Sequence, residues 1–210
     1  MKAFPLPIKQ RHKPYRHHYC STLCSAAYRL PLAVLFIAAS WLMAAKGMAA
    51  PSLIPKQLLN HTDTYGNISL RNSADLRLPD PLVVNGNLNL ENSQIRRLPN
   101  SLTVKGNLNL AYSAIHTLPP GLKIGGYLNL AHSKITAIPA GLQIQGDLSV
   151  MGTHLSELPP RLYVGGDLYL ANSKISQLPD FLTVKGNIYL DGVAIDRMPE
   201  QAIIQGTIYK

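Results

Sequence analysis

Tyr169, Tyr189 and Tyr209 recur at intervals of twenty residues, and a second series at the same interval holds Tyr127, Asp147, Asp167 and Asn187. Tyrosine offers a flat apolar face with a polar tip, and carboxylates and amides beside it supply directional partners. That mixture suits a surface that holds a peptide, a protein loop or a sugar chain. It equally suits a structural ladder in which like side chains stack along a sheet and tyrosine acts as a strand former. Both readings stand on the sequence alone.

Bond-making chemistry finds little to work with. His116, His132 and His154 fall at three different places in the repeat, so they form no ladder. Gly125-Gly126 and Gly165-Gly166 are followed by neither the Lys-Ser/Thr pair nor the acidic partner that a phosphate or dinucleotide loop requires. Cys20 and Cys24, in CSTLC, have three residues between them and no companion Cys and His pair at zinc spacing. The expectation is a chain with no catalytic residue, no metal site and no cofactor, and not an enzyme.

What must position the tyrosines is the repeat itself. Gly66, Gly86, Gly106, Gly126, Gly146, Gly166, Gly186 and Gly206 stand twenty residues apart without a slip. Such a period marks a solenoid, whose units cannot bury an apolar face alone and must stack on their neighbours. Counted from the Leu of each Leu-Pro pair, the unit reads L-P-x-x-L-x-V-x-G-x-L-x-L-x-x-S-x-I-x-x. Its six apolar columns are Leu98, Leu102, Val104, Leu108, Leu110 and Ile115, and they return as Leu158, Leu162, Val164, Leu168, Leu170 and Ile175. From Leu102 to Leu110 the apolar period is two, which calls for extended chain. The expected fold is mainly β, a repeat solenoid of 20-residue coils, each with one long bent strand or two short ones.

Other columns describe the coil. Gly86, Gly106, Gly126, Gly146, Gly166 and Gly186 sit within the alternation where a side chain would face the core, so they are structural; a corner or bulge is the favoured reading, close backbone packing the other. Pro99, Pro119, Pro139, Pro159, Pro179 and Pro199 cannot donate to a ladder and belong to a turn. The column Ser73, Ser93, Ser113, Ser133, Thr153, Ser173 places a small hydroxyl to bond backbone groups from coil to coil.

Residues 1–49 read as a signal peptide or an N-terminal membrane anchor. Leu30 to Ala45 is uncharged, preceded by basic residues and followed by Gly47 and Ala49, which fit cleavage after Ala49. A sixteen-residue helix spans about 24 Å, short of the roughly 30 Å hydrocarbon core. The expected location is therefore exported, periplasmic or secreted; the alternative is anchoring by residues 30–45 with the repeats outside. The formal charge of +9 is concentrated in that leader, because from Pro51 onward 13 Lys and Arg face 11 Asp and Glu. No nucleic-acid partner is expected, and membrane contact only through an uncleaved leader. Residues 50–77 read as an N-terminal cap and degenerate first coil, with Thr62, Thr64 and Asp75 in apolar columns. Residues 78–210 form the array, whose last coil, at Ile208, Tyr209 and Lys210, reads as uncapped.

The segment Leu108 to Pro119, LNLAYSAIHTLP, resembles the L-x-L-x-x-N-x-L-x-x-L-P of leucine-rich repeats, and the unit length is similar to that of short bacterial leucine-rich effector repeats. The resemblance runs from about Ile54 to Lys210. Ser replaces the family's Asn, and V-x-G-x-L-x-L replaces its L-x-x-L-x-L, so a more regular parallel β-solenoid stands as the other expectation. In that family the residues flanking the core leucines form the ligand face; the resemblance implies such a role for Tyr127, Asp147, Asp167, Tyr169, Tyr189 and Tyr209. The expected function is that of an exported, non-enzymatic scaffold binding a protein or glycan through its strand face. The alternative is a structural protein that self-associates end to end through its last coil, giving a homo-oligomer.

Overall fold

The computed structural model describes residues 56–74 and 77–210, with the side chain of Gln57 excepted. The leader over residues 1–49, its apolar run and cysteines, residues 50–55, and Asp75 and Leu76 lie outside the described residues. After a single helical turn, α1 (Lys56–Leu59), the chain enters a parallel β-solenoid with two short strands in each coil. The first sheet has eight strands: β1 (Ile68–Ser69), β3 (Leu88–Asn89), β5 (Leu108–Asn109), β7 (Leu128–Asn129), β9 (Leu148–Ser149), β11 (Leu168–Tyr169), β13 (Ile188–Tyr189) and β15 (Ile208–Tyr209). The second has seven: β2 (Leu82–Val84), β4 (Leu102–Val104), β6 (Lys123–Ile124), β8 (Gln143–Ile144), β10 (Tyr163–Val164), β12 (Thr183–Val184) and β14 (Ile203–Ile204).

Register follows the sequence period. Leu108 lies opposite Leu88 and Leu128, and Tyr189 opposite Tyr169 and Tyr209, so each side chain meets its counterpart twenty residues away. The six apolar columns are buried through the middle of the array: Leu102, Leu108, Leu110 and Ile115 are each wholly inaccessible. On the remaining side of the coil the bridges Thr117 to Ala137 and Gln177 to Arg197 add further parallel pairing. At the N-terminal end Leu58 of α1 joins the core. The segment His61 to Asp63 runs antiparallel along β1, with Ser69 N–H donating to His61 O at 2.9 Å. The Asp63 carboxylate fixes that turn by accepting the Tyr65 and Asn67 N–H groups, both at 2.9 Å, and Asn67 Nδ2 at 2.8 Å. The bond from the Asn67 side chain is the first cause holding its pKa below the usual carboxylate value.

The glycine column combines both sequence-based expectations. The chain bends at residues 85–86 and at each equivalent place, so a corner is present. Past Gly66, however, none of these glycines has a left-handed φ. What excludes a side chain is close approach: a Cβ on Gly146 would lie 2.9 Å from Gly126 C and Tyr127 N. The glycine amides form their own chain of bonds along the solenoid, Gly106 to Gly86 O, Gly126 to Gly106 O and Gly146 to Gly126 O among them, at 3.0 to 3.1 Å.

The serine column departs from expectation. The hydroxyls of Ser93, Ser113, Ser133 and Ser173 are buried with no hydrogen-bond partner, and Thr153 Oγ1 donates within its own coil, to Val150 O at 2.7 Å. Coil-to-coil bonding here belongs to the backbone instead: Ala114 N–H donates to Ser93 O and Lys134 N–H to Ser113 O. Ser93, Ser113, Ser133 and Thr153 are buried, which favours a small side chain in this column.

Candidate functional site

The outer face of the first sheet carries two outward columns. In one, a side-chain oxygen of each coil accepts the backbone N–H of the same column in the next coil. Asn67 Oδ1 accepts Asn87 N–H at 2.7 Å, Asn87 accepts Asn107 N–H at 2.8 Å, and Asn107 accepts Tyr127 N–H at 2.9 Å. Asp147 Oδ1 then accepts Asp167 N–H at 2.8 Å, Asp167 Oδ1 accepts Asn187 N–H at 2.6 Å, and Asn187 Oδ1 accepts Thr207 N–H at 2.9 Å. Tyr127 interrupts the ladder, because a phenol has no oxygen at that reach. Each bond contributes on the order of 1 kcal/mol, more where a carboxylate accepts.

The second column holds Asn89, Asn109 and Asn129, whose Oδ1 atoms accept the N–H two residues on and shape the corner after the strand. Further along it becomes a tyrosine stack. The Tyr169 and Tyr189 rings lie 4.8 Å apart at 5°, and the Tyr189 and Tyr209 rings 5.0 Å apart at 7°. Tyr189 therefore has both ring faces covered, and the stack presents edges and hydroxyls outward. Tyr169 OH donates to Asp167 Oδ2 at 3.3 Å. Burial, followed by the nearby Asp167 and Asp147 carboxylates, pushes the Tyr169 phenol above its usual pKa.

Of the six residues read as ligand-facing, the structure gathers Asp147, Asp167, Tyr169, Tyr189 and Tyr209 into one patch across consecutive coils. Asp147 and Asp167 each have one oxygen committed to the backbone ladder. Tyr127 stands alone, 40% exposed and without a ring partner. Tyr112 and His132, in the column beyond the tyrosines, stack on one another at 4.9 Å, and their backbones take the left-handed conformation at φ 56° and 55°. The signal for that corner was present in the same column as Asn72, Asn92, Gly152, Asn172 and Gly192, the residue types that enter this conformation most readily.

A second depression lies on the second sheet. A groove of about 350 Å³ opens where Gly121 and Gly141 leave out side chains, with Lys123, Gln143 and Gln145 along it. Here β6 and β8 share a single register pair, Ile124 to Ile144, and Gly141 is left-handed at φ 72° whereas Gly121 is not. It brings together no nucleophile and base. No family model, curated protein or solved structure matches the chain.

Proposed function

We propose that this chain is an exported, non-enzymatic scaffold that holds a protein partner on the outer face of its first sheet. The observation that supports the reading is the tyrosine stack itself. Rigid aromatic side chains, edge outward, with the Tyr169 hydroxyl donating to Asp167, offer contact area at small entropic cost on a sheet whose register holds them still. Stacked faces leave little ring surface for a sugar to lie on, which favours protein over glycan. Leader removal after Ala49, or its retention as an anchor, would put the repeats outside the cytoplasm in either case.

A photo-crosslinking residue at position 189, compared with one at Lys123 on the second sheet, tests this in cells that make the chain. Discrete protein adducts are expected from position 189 only. They should vanish when Tyr169→Ser and Tyr209→Ser are added, with the melting temperature nearly unchanged, since Ser69 and Ser149 already occupy that column. Equal adducts from both sheets, or none from 189, would sink the reading; binding to a glycan array that the serine changes abolish would transfer the face to sugars.

A second reading has its own observation. In the last coil Met198, Ile203 and Tyr209 are exposed at 45%, 58% and 48%, and β14 and β15 are paired on one side only among the described residues. Because the His61 to Asp63 segment covers β1, association through the edge of the first sheet would join like ends. Light scattering should then show a concentration-dependent dimer that Ile203→Asp removes; a monomer at all concentrations would end this alternative.

A further inference from the structure

The sheet assignment separates the charges of the array by face. The outward columns of the first sheet, running from Asn67 to Thr207 and from Ser69 to Tyr209, contain Asp147 and Asp167 and no Lys, Arg or His. Those of the second sheet contain Lys105, Lys123 and Lys185 and no acid. From Pro51 onward the chain is close to neutral, so this is segregation and not excess. Neither Asp147 nor Asp167 has an ion-pair partner among the described residues, where the salt bridge is Arg71 to Glu91 at 2.9 Å.

The two carboxylates flank the end of the tyrosine stack. Tyr169 ends the stack, because its counterpart in the preceding coil is Ser149, opposite it in the register. One face of its ring thus meets no other ring. Asp147 lies two residues before Ser149; its Oδ1 is spent on Asp167 N–H, and Oδ2 has no hydrogen-bond partner among the described residues. Burial first, and then the nearby Asp167 and Asp147 carboxylates, raise the Tyr169 phenol above its usual pKa. A ring face with a step beside it and an unpaired carboxylate alongside is a combination that attracts a cation both through the ring quadrupole and through a charge-assisted hydrogen bond.

We infer that the partner segment held by this face is cationic, an arginine- or lysine-bearing stretch of polypeptide whose charged head lies over Ser149, against the open face of Tyr169 and in reach of Asp147. This rests on the binding-face reading above and names the chemistry of its partner. The acidic face steers the segment in, and the lysines of the second sheet repel it from that sheet.

The column supplies its own control. Asn occupies it at positions 87, 107 and 187 and makes the same bond through Oδ1, so Asp147→Asn with Asp167→Asn removes the charge and keeps the ladder. The probes are two fluorescent ten-residue peptides, one alternating Arg with Ser and one alternating Glu with Ser, titrated by anisotropy against the full chain. The arginine peptide should bind saturably and weaken at least about tenfold in the double Asn variant and in Tyr169→Ser, with strong salt dependence; the glutamate peptide should not bind. Equal binding of the two peptides, absence of arginine-peptide binding, or indifference to the Asn changes would each overturn the inference. Adducts from position 189 without arginine-peptide competition would leave the binding face standing and its cationic partner refuted; loss of both would remove the two together.

Discussion

Gly186→Ala should destabilise the array by about 3 to 5 kcal/mol in a urea titration, a large fraction of what a domain of this size possesses. A Cβ there would sit 2.7 Å from both the carbonyl carbon and oxygen of Gly166. Those atoms are backbone, tied in turn to the next coil by the Gly166 to Gly146 bond at 3.0 Å, and no rotamer change relieves the overlap. The coils can only part. Parting them stretches the Gly186 to Gly166 bond at 2.9 Å, the Lys185 to Val164 bond at 3.0 Å and the Asn187 N–H to Asp167 Oδ1 bond at 2.6 Å. Gly141→Ala is the comparison, since a Cβ there has nothing within 4 Å and the cost is only that of a left-handed φ of 72°, about 1 to 2 kcal/mol. A loss under 1 kcal/mol at Gly186 would show that the column is glycine for some other reason.

The period, the apolar columns and the extended conformation were legible because identical units in register convert a sequence interval directly into a spatial neighbour. Leu88, Leu108 and Leu128 could hardly do otherwise than pair once one coil stacked on the next. The Asn and Asp column was legible as a column but not as a ladder. Nothing in the residue types says that Oδ1 points along the solenoid toward the next N–H and not outward to solvent. Asn107, Tyr127 and Asp147 look equally polar in the sequence, yet only two of the three have an oxygen at the right distance from Cα. The left-handed corner was hidden in a similar way, since Tyr112 and His132 resemble surface-binding residues and masked the Asn and Gly around them. Charge segregation could not be read at all until each strand had been assigned to a sheet, because Lys123 and Tyr127 are four residues apart in the chain and on different faces in the fold.

Position along the array should matter as much as column, and Ile188 and Ile208 give the cleanest comparison: the same residue type, in paired strands β13 and β15, opposite one another in register. Ile188 is fully inaccessible, with coils on both sides, whereas Ile208 is only partly buried beside the half-buried Ile204 and the exposed Ile203 and Met198. Ile188→Ala should cost about 3 to 4 kcal/mol, because the lost methyl groups leave a cavity that Leu168 and Ile208 on either side cannot collapse into. Ile208→Ala should cost no more than about 1 kcal/mol, since part of the deleted surface was already in water and the last coil can settle. Urea titrations of the two variants measure the difference directly. In a stacked array each coil draws stability from the interfaces beside it, and a coil with one such interface frays first. The tyrosine stack inherits that gradient: Tyr169 is set by coils on both sides, while Tyr209 is its loosest member. Equal losses at 188 and 208 would mean that the last coil is packed as firmly as the one before it, and that Tyr209 is held as rigidly for binding as Tyr169.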